Sequence, residues 1–223
     1  MRLVYTKYNI DIVLNENMIP VFTIESPQAF REMFGDLWKQ VNGLEGKWIV
    51  SEKEKEIKLS KEFEIITNPF ALDINDKKII LRLYQEIMSV SEDFLAESIG
   101  KLNSEIICLI DQMCESLPYP IVYNDSFPVD GLLKLAEVKL ESDDRDSIQY
   151  LADYICLKKK ICNITTFVFL NPRQFYDDGQ IAMLYKKLQY EKINFIVFES
   201  TFLTKIELEK RWILDRDLCI IEA

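Results

Sequence analysis

Residues 164–188 read ITTFVFLNPRQFYDDGQIAMLYKKL. A short apolar run ending in the turn pair Asn171-Pro172 is the signature of a buried strand. The acidic pair Asp177-Asp178 before a periodic segment marks a helix start, as cap and first-turn charge. The stretch therefore predicts a strand over 164–170, a turn and a helix over 178–190, with a second strand at 193–199. In a phosphate-binding unit of this kind, the turn is rich in glycine and carries a lysine, so that backbone N–H groups close around the anion. Here it holds Asn171, Pro172, Arg173, Gln174, Phe175 and Tyr176. Neither G-x-x-x-x-G-K-[ST] nor G-x-G-x-x-G occurs anywhere in the chain. Arg173 reads as a solvated turn arginine.

Upstream, LVYTKY, DIVL and PVFTIE read as short strands. PQAFREMFGDLWKQVNG reads as an amphipathic helix, with Ser26 as N-cap, Pro27 in the first turn and Gly43 as stop. KWIVS and EIKLS flank the charged EKEK as a hairpin, and FEIITNP is a further strand ended by Pro69. From about Asn75 the pattern changes. Ile79, Ile80, Leu83, Ile87, Phe94, Leu95, Ile99, Leu102, Ile106 and Leu109 keep a helical period across a stretch with Gly100 as its one soft spot. This predicts one very long helix, or two with a kink. Prolines in PYPIVYNDSFP force a loop. VDGLLKLAEVKLE and DRDSIQYLADYICLKKK follow as helices, and LCIIE closes the chain as a strand. The simplest architecture is one α/β core, residues 1–74 plus 161–223, in which the N-terminal strands and the C-terminal βαβ share one sheet. Residues 75–160 form a helical insertion that projects as an arm. Such an arm serves assembly, because its apolar stripe needs cover.

At 223 residues and 48% hydrophobic, the chain can build a substantial core. No apolar run reaches the ~20 residues of a membrane span, and the N-terminus is not a signal peptide, so a cytoplasmic location is expected. The five cysteines form no C-x-x-C pair and read as buried thiols. The absence of histidine removes the commonest general base and metal ligand, and with it any Ser-His or Cys-His nucleophile. A net charge of −10 argues against nucleic acid for the molecule as a whole, although a local basic surface can still bind phosphate. Two basic sets stand out: Lys134 and Lys139, and the run Lys158, Lys159 and Lys160 at a helix end. The acidic run ESDDRD at 141–146 lacks calcium-loop spacing and reads as helix-cap chemistry.

Several stretches, in order, resemble the type II-A CRISPR-associated Csn-two family of spacer-acquisition accessory proteins. IITNPFALDINDKKIILRLYQEI is similar to its strand, D-x-N and long-helix segment, with Asp73 and Asn75 at the D-x-N positions. LLKLAEVKLE, FVFLNPRQFYDDGQIAMLYKKL, NFIVFES and DRDLCIIEA resemble the segments that follow. The resemblance implies a degenerate P-loop or Rossmann-like sheet domain without a working nucleotide site. It implies arms that pair subunits into a homotetrameric ring, acidic outside and lined with lysines that take double-stranded DNA by its ends. The lysines it points to are Lys134, Lys139, Lys158, Lys159 and Lys160. Partners are the integrase and the RNA-guided nuclease of adaptation, and no catalysis is implied. Family members bind Ca²⁺ in an acid-rich stretch, which here offers Glu115, Asp125 and Asp130. Two rivals stay open: a protein-only scaffold, and a divergent nucleotide hydrolase or nuclease using carboxylates and a divalent ion.

Overall fold

A computed structural model describes residues 1–222 other than Glu16, Glu54 and 142–146, with 91–93 described by backbone alone. The chain divides into two compact units, residues 1–73 with 142–223, and residues 74–141.

The first unit is built on strands. β1 (Arg2–Tyr5) and β2 (Ile10–Val13) form an antiparallel pair, followed by β3 (Ile19–Ile24) and helix α1 (Pro27–Val41). β4 (Trp48–Glu52), β5 (Lys55–Glu56), the single-turn α2 (Leu59–Glu62) and β6 (Phe63–Ile66) complete the N-terminal segment. After the second unit come α5 (Ile148–Cys162), β7 (Thr166–Leu170), α6 (Asp178–Tyr190), β8 (Asn194–Glu199), β9 (Glu209–Leu214) and β10 (Ile220–Glu222). The second unit holds α3 (Lys77–Glu115) and α4 (Val129–Leu135). The molecule is thus mixed α/β, as expected. Among the described residues no helix is long and apolar enough to cross a membrane.

Two of the expectations are corrected. The strands form two sheets and not one: an antiparallel sheet in the order β2-β1-β4-β5, and a six-stranded sheet in the order β10-β9-β3-β8-β7-β6. The alternation in β1 and β2 explains the split. Leu3, Tyr5, Ile10 and Ile12 are buried, while Arg2, Asp11 and Val13 face out, so this sheet has one wet face. β3, all of whose residues are buried, pairs in parallel with both β8 and β9 at the centre of the larger sheet. Pro20 is accommodated because pairing with β8 begins only at Val21. The second correction concerns α5. The expected insertion ran from 75 to 160, but the second unit ends at Glu141 and α5 packs with the sheet unit, burying Leu151, Ala152, Tyr154 and Ile155.

Both sheets share one core. Trp48 lies with its ring centroid 4.9 Å from Tyr5 and 5.8 Å from Phe22, and Phe22 stacks 5.0 Å from Phe198. α1 contributes Ala29, Met33 and Leu37. The buried Asp36 of α1 accepts a 2.9 Å hydrogen bond from Tyr5 Oη.

In the second unit, Asp76 caps α3 by accepting from the N–H groups of Lys78 and Ile79. The helix then runs without a break for 39 residues, ~58 Å, straight through Gly100. A glycine there costs about 1 kcal/mol against alanine, too little to interrupt so long a ladder.

Candidate nucleic-acid interface

Lys134 and Lys139 lie in the second unit. α4 begins after Pro128 and ends at Leu135; the expected helix through Glu141 stops there, with Glu137 in the left-handed region at φ 49°. What fixes this segment is α3. Tyr84 Oη bonds the carbonyls of Leu133 and Val138 at 3.1 and 3.2 Å. The Asn75 side chain donates to Leu140 O at 3.0 Å and accepts from Leu140 N at 2.9 Å. Asn75 of the D-x-N motif is therefore a backbone clamp. It satisfies both polar groups of a residue that belongs to no ladder.

On this base each lysine holds a neighbouring carboxylate. Lys134 Nζ is 2.6 Å from Asp130 Oδ2, and its hydrogen bond draws the Asp130 carboxyl below its usual range. Lys139 Nζ is 3.1 Å from Glu137 Oε2. Both lysine side chains are well exposed, and exposed pairs of this kind contribute ~0–1 kcal/mol, so a phosphate can displace the carboxylate at small cost. The whole unit has six Lys and Arg against twelve Asp and Glu, so these two cations sit in a negative surrounding.

The other three expected lysines belong to the first unit, and they behave differently from one another. Lys158 is only 5% exposed. Its Nζ lies 3.3 Å from Glu64 Oε2 and 5.3 Å from the Tyr154 ring centroid, and Tyr154 Oη donates to Glu64 as well. A buried ammonium tied to a carboxylate is a core element, and Lys158 is withdrawn from the phosphate-contacting set. Lys159 donates to the carbonyls of Glu191 and Lys192, at the C-terminal end of α6, where a cation suits the helix dipole. Lys160 is exposed.

The β4–β5 hairpin and α2 add Lys53, Lys55, Lys58 and Lys61, all exposed, around an open cleft of about 500 Å³. Glu52, Glu56 and Glu62 line the same cleft, so its charge is nearly balanced.

The expected metal ligands are not brought together. Glu115 ends α3, Asp125 lies in the following loop and Asp130 sits in the first turn of α4, tied to Lys134. Among the described residues no group of three or more His, Cys, Asp or Glu side chains is placed to hold a metal ion. As placed, these carboxylates do not fit a calcium cage, which takes six to eight oxygens. Of the acidic run 141–146, only Glu141 lies within the described residues.

The βα turns of the large sheet show what replaces a phosphate cradle. Only Glu25 and Ser26 separate β3 from α1. Ser26 Oγ accepts from Ala29 N, Pro27 has no N–H to offer, and Glu25 adds a negative charge. At α6 a full capping box closes the helix end: Asp177 accepts from Gln180 N at 2.8 Å and Gln180 accepts from Asp177 N at 3.0 Å. Both N-termini are satisfied by the chain's own acids and hydroxyls.

Beside α6 lies a buried charge network that sequence reading missed. Glu209, 5% exposed, accepts from Arg173 Nη2 at 3.2 Å, Arg211 Nε at 3.0 Å, Tyr185 Oη at 3.1 Å and Ile206 N at 2.9 Å. Arg173 and Arg211 also donate to the Thr204 carbonyl at 2.7 and 2.6 Å, and Arg211 donates to the Leu203 carbonyl. The irregular segment 200–208 is thereby bolted to the sheet. Arg173 is not the solvated turn arginine expected; its side chain is only 8% exposed. Glu199, 6% exposed at the end of β8, has one carboxylate oxygen with no hydrogen-bond partner. Burial, reinforced by Glu209 and opposed by Arg173, pushes its carboxyl up to about 7.

The family model described as "CRISPR-associated protein (Cas_Csn2)" matches residues 40–218. No curated protein matches the chain. Among solved structures, one similar chain is described as "Crystal structure of Stu0660 of Streptococcus thermophilus". It is 12% identical, with a TM-score of 0.63, over 100% of this chain and 76% of that one, a likeness of fold.

Proposed function

The chain belongs to the CRISPR-associated Cas_Csn2 family, and from that premise we propose that it is a non-enzymatic binder of double-stranded DNA ends that assists spacer acquisition in type II-A adaptation. The protein acts as a homotetrameric ring in which the α3 arms pair subunits. The ring threads a duplex from a free end, and lysines contact phosphates without reading sequence. The integrase and the RNA-guided nuclease of adaptation are its protein partners.

One observation carries this reading furthest. Beyond Tyr84, none of the described side chains of α3 is buried, and Leu81, Val90, Phe94, Leu95, Leu102, Leu109 and Met113 are all exposed. A helix of this length with an uncovered apolar side is an assembly element. Assembly also reconciles a net charge of −10 with a polyanionic ligand, because a ring can gather exposed lysines on an inner wall. Lys134 and Lys139 are the first candidates, with Lys159 and Lys160 next. The closed helix N-termini at α1 and α6, together with the absence of histidine, disfavour the nucleotide hydrolase alternative.

The test is a gel-shift titration of linear against covalently closed circular DNA of equal length, at two salt concentrations. Binding to linear DNA alone, weakening with salt, is the expected result. Equal binding to both forms overturns end threading, and no binding to either leaves a protein-only scaffold. K134E with K139E should weaken binding and flatten the logarithmic salt slope by about 1 per lost phosphate contact. An unchanged slope removes both lysines from the interface and turns attention to the hairpin lysines at 53–61.

A further inference from the structure

Parallel strands need a long crossover, usually a helix, to carry the chain from the end of one strand back to the start of the next. β8 and β9 lie on either side of β3 and run parallel to it, yet only residues 200–208 join them. This strap contains neither helix nor strand. It closes on Leu208, held in the left-handed region at φ 77°, a sterically costly place for a leucine. Side chains from outside hold its middle. Arg173 and Arg211 donate to the carbonyls of Leu203 and Thr204, Asp178 accepts from Thr204 Oγ1 at 3.4 Å, and Glu209 accepts from Ile206 N.

Glu199 ends β8 directly before this strap. Strand alternation puts Phe198 on the α1 side against Phe22, and Glu199 on the other side with Phe195, whose ring lies 6.0 Å from Tyr185 of α6. In β9, Trp212 faces Phe22, so Glu209 and Arg211 share the side of Glu199. The charged and titratable groups around Glu199 are therefore Arg173 from the turn before α6, Glu209 and Arg211 from β9, and Tyr185 from α6. Arg173 meets the carboxyl through its main-chain N–H, and its guanidinium is spent on Glu209 and the Thr204 carbonyl. The other Glu199 oxygen is buried without a hydrogen-bond partner. An ionised carboxylate in this place is desolvated with no cation bonded to it, so the closed strap favours the protonated acid.

We propose that residues 200–208 form a proton-controlled latch: the strap stays closed while Glu199 holds its proton, and loss of that proton opens it. Opening admits water to the carboxylate and relaxes Leu208, so proton release and strap release are one linked equilibrium. The sign is set by burial, which pushes the Glu199 carboxyl up to about 7 in the closed state, with Arg173 opposing and Glu209 reinforcing. In water the same carboxyl ionises near 4.5. The advantage of the closed strap is thus complete below about pH 4.5 and is lost as pH rises through about 7. Tyr185 does not compete as the switch, because burial and Glu209 hold its phenol protonated far above this range.

Hydrogen exchange of the full chain, read by mass spectrometry and corrected for the intrinsic pH dependence of amide exchange, tests the latch. Peptides covering 200–208 should lose protection roughly tenfold between pH 6 and pH 8.5, while β8 and β9 keep theirs. E199Q should hold the strap protected at both pH values, and R173A should leave it weakly protected at both. Trypsin supplies a second readout, because the exposed Lys205 is the one tryptic site between Ser200 and Leu208. Cleavage there, scaled to an unstructured reference peptide in the same tube, should rise with pH in the wild type and not in E199Q. Wild-type protection that ignores pH, or a pH dependence that survives in E199Q, overturns the latch. Protection lost from β8 and β9 together with the strap also overturns it, since the sheet unit is then unfolding as a whole. Should E199Q fail to fold, the wild-type profile across the strap and its two strands still decides.

Discussion

Replacing Glu209 by Gln keeps the shape of the side chain and removes its charge. In the native protein that carboxylate is buried and accepts from Arg173, Arg211, Tyr185 and the Ile206 amide. Glutamine offers one oxygen, and its NH₂ group points donors at guanidinium groups that are already donors. Two buried arginines, with side chains 8% and 3% exposed, then lack their shared counter-charge. Breaking a buried pair on one side costs about 3–5 kcal/mol. With a urea slope of about 2–3 kcal/mol/M, the unfolding midpoint of the sheet unit should fall by about 1–2.5 M. Tryptophan fluorescence is the assay, because Trp38, Trp48 and Trp212 all lie in that unit. Arg173→Ala should cost less, since Glu209 retains Arg211, Tyr185 and the Ile206 amide. An E209Q midpoint within about 0.2 M of wild type, or a larger loss for R173A than for E209Q, would refute the view that Glu209 is the hub of the network.

Two further outcomes follow from features already described. Glu199 has its carboxyl raised to about 7 in the folded state, so the native protein holds a proton that the unfolded chain has released by about pH 4.5. Stability therefore falls as pH rises from about 4.5 to 7, by at most ~3 kcal/mol. E199Q should be the more stable protein at pH 8, with its advantage shrinking to nothing below pH 4.5; an advantage independent of pH would show that Glu199 does not titrate there. L102D replaces one leucine on the exposed apolar side of α3 by a carboxylate in each subunit of an arm-paired assembly. The cost of ~4 kcal/mol or more corresponds to a roughly 10³-fold weaker dimer by sedimentation. Unchanged association, with helix content retained by circular dichroism, would place the contact elsewhere.

Local chemistry made much of this fold legible. The α6 boundaries agree with expectation because a capping box and an acidic pair sit at its start. The α3 period was plain because tertiary contacts hardly disturb it. β9 was missed for the opposite reason. Glu209 and Arg211 point inward, so EKRWIL looks like a surface segment, and the partners that make it a core strand, Arg173 and Tyr185, lie far back in the chain. The same holds for Lys158, whose partner Glu64 is on β6. At the end of a helix a lysine has a good local explanation, and nothing nearby signals a buried carboxylate waiting for it. EIKLS was only partly a strand, since Leu59–Glu62 closes into a helical turn. Lys134 and Lys139 stand out in the sequence as candidates, but the clamp from Asn75 and Tyr84 that sets their position does not, because it spans some 50 to 65 positions.

The place of β3 in the large sheet has a consequence for synthesis. β3 is complete by residue 24, yet both of its neighbours belong to the other end of the chain, β8 starting at Asn194 and β9 at Glu209. At about 5–20 residues per second, a ribosome needs roughly ten to forty seconds to deliver them. Throughout that interval an apolar strand with two bare edges is out of the tunnel while the arm is still being made. α1 and the β1–β2–β4 sheet emerge early and pack on Phe22 through Trp48, which gives the waiting strand its cover. Truncated or stalled chains that lose β8 and β9 would keep that exposed centre, and aggregation is their expected fate.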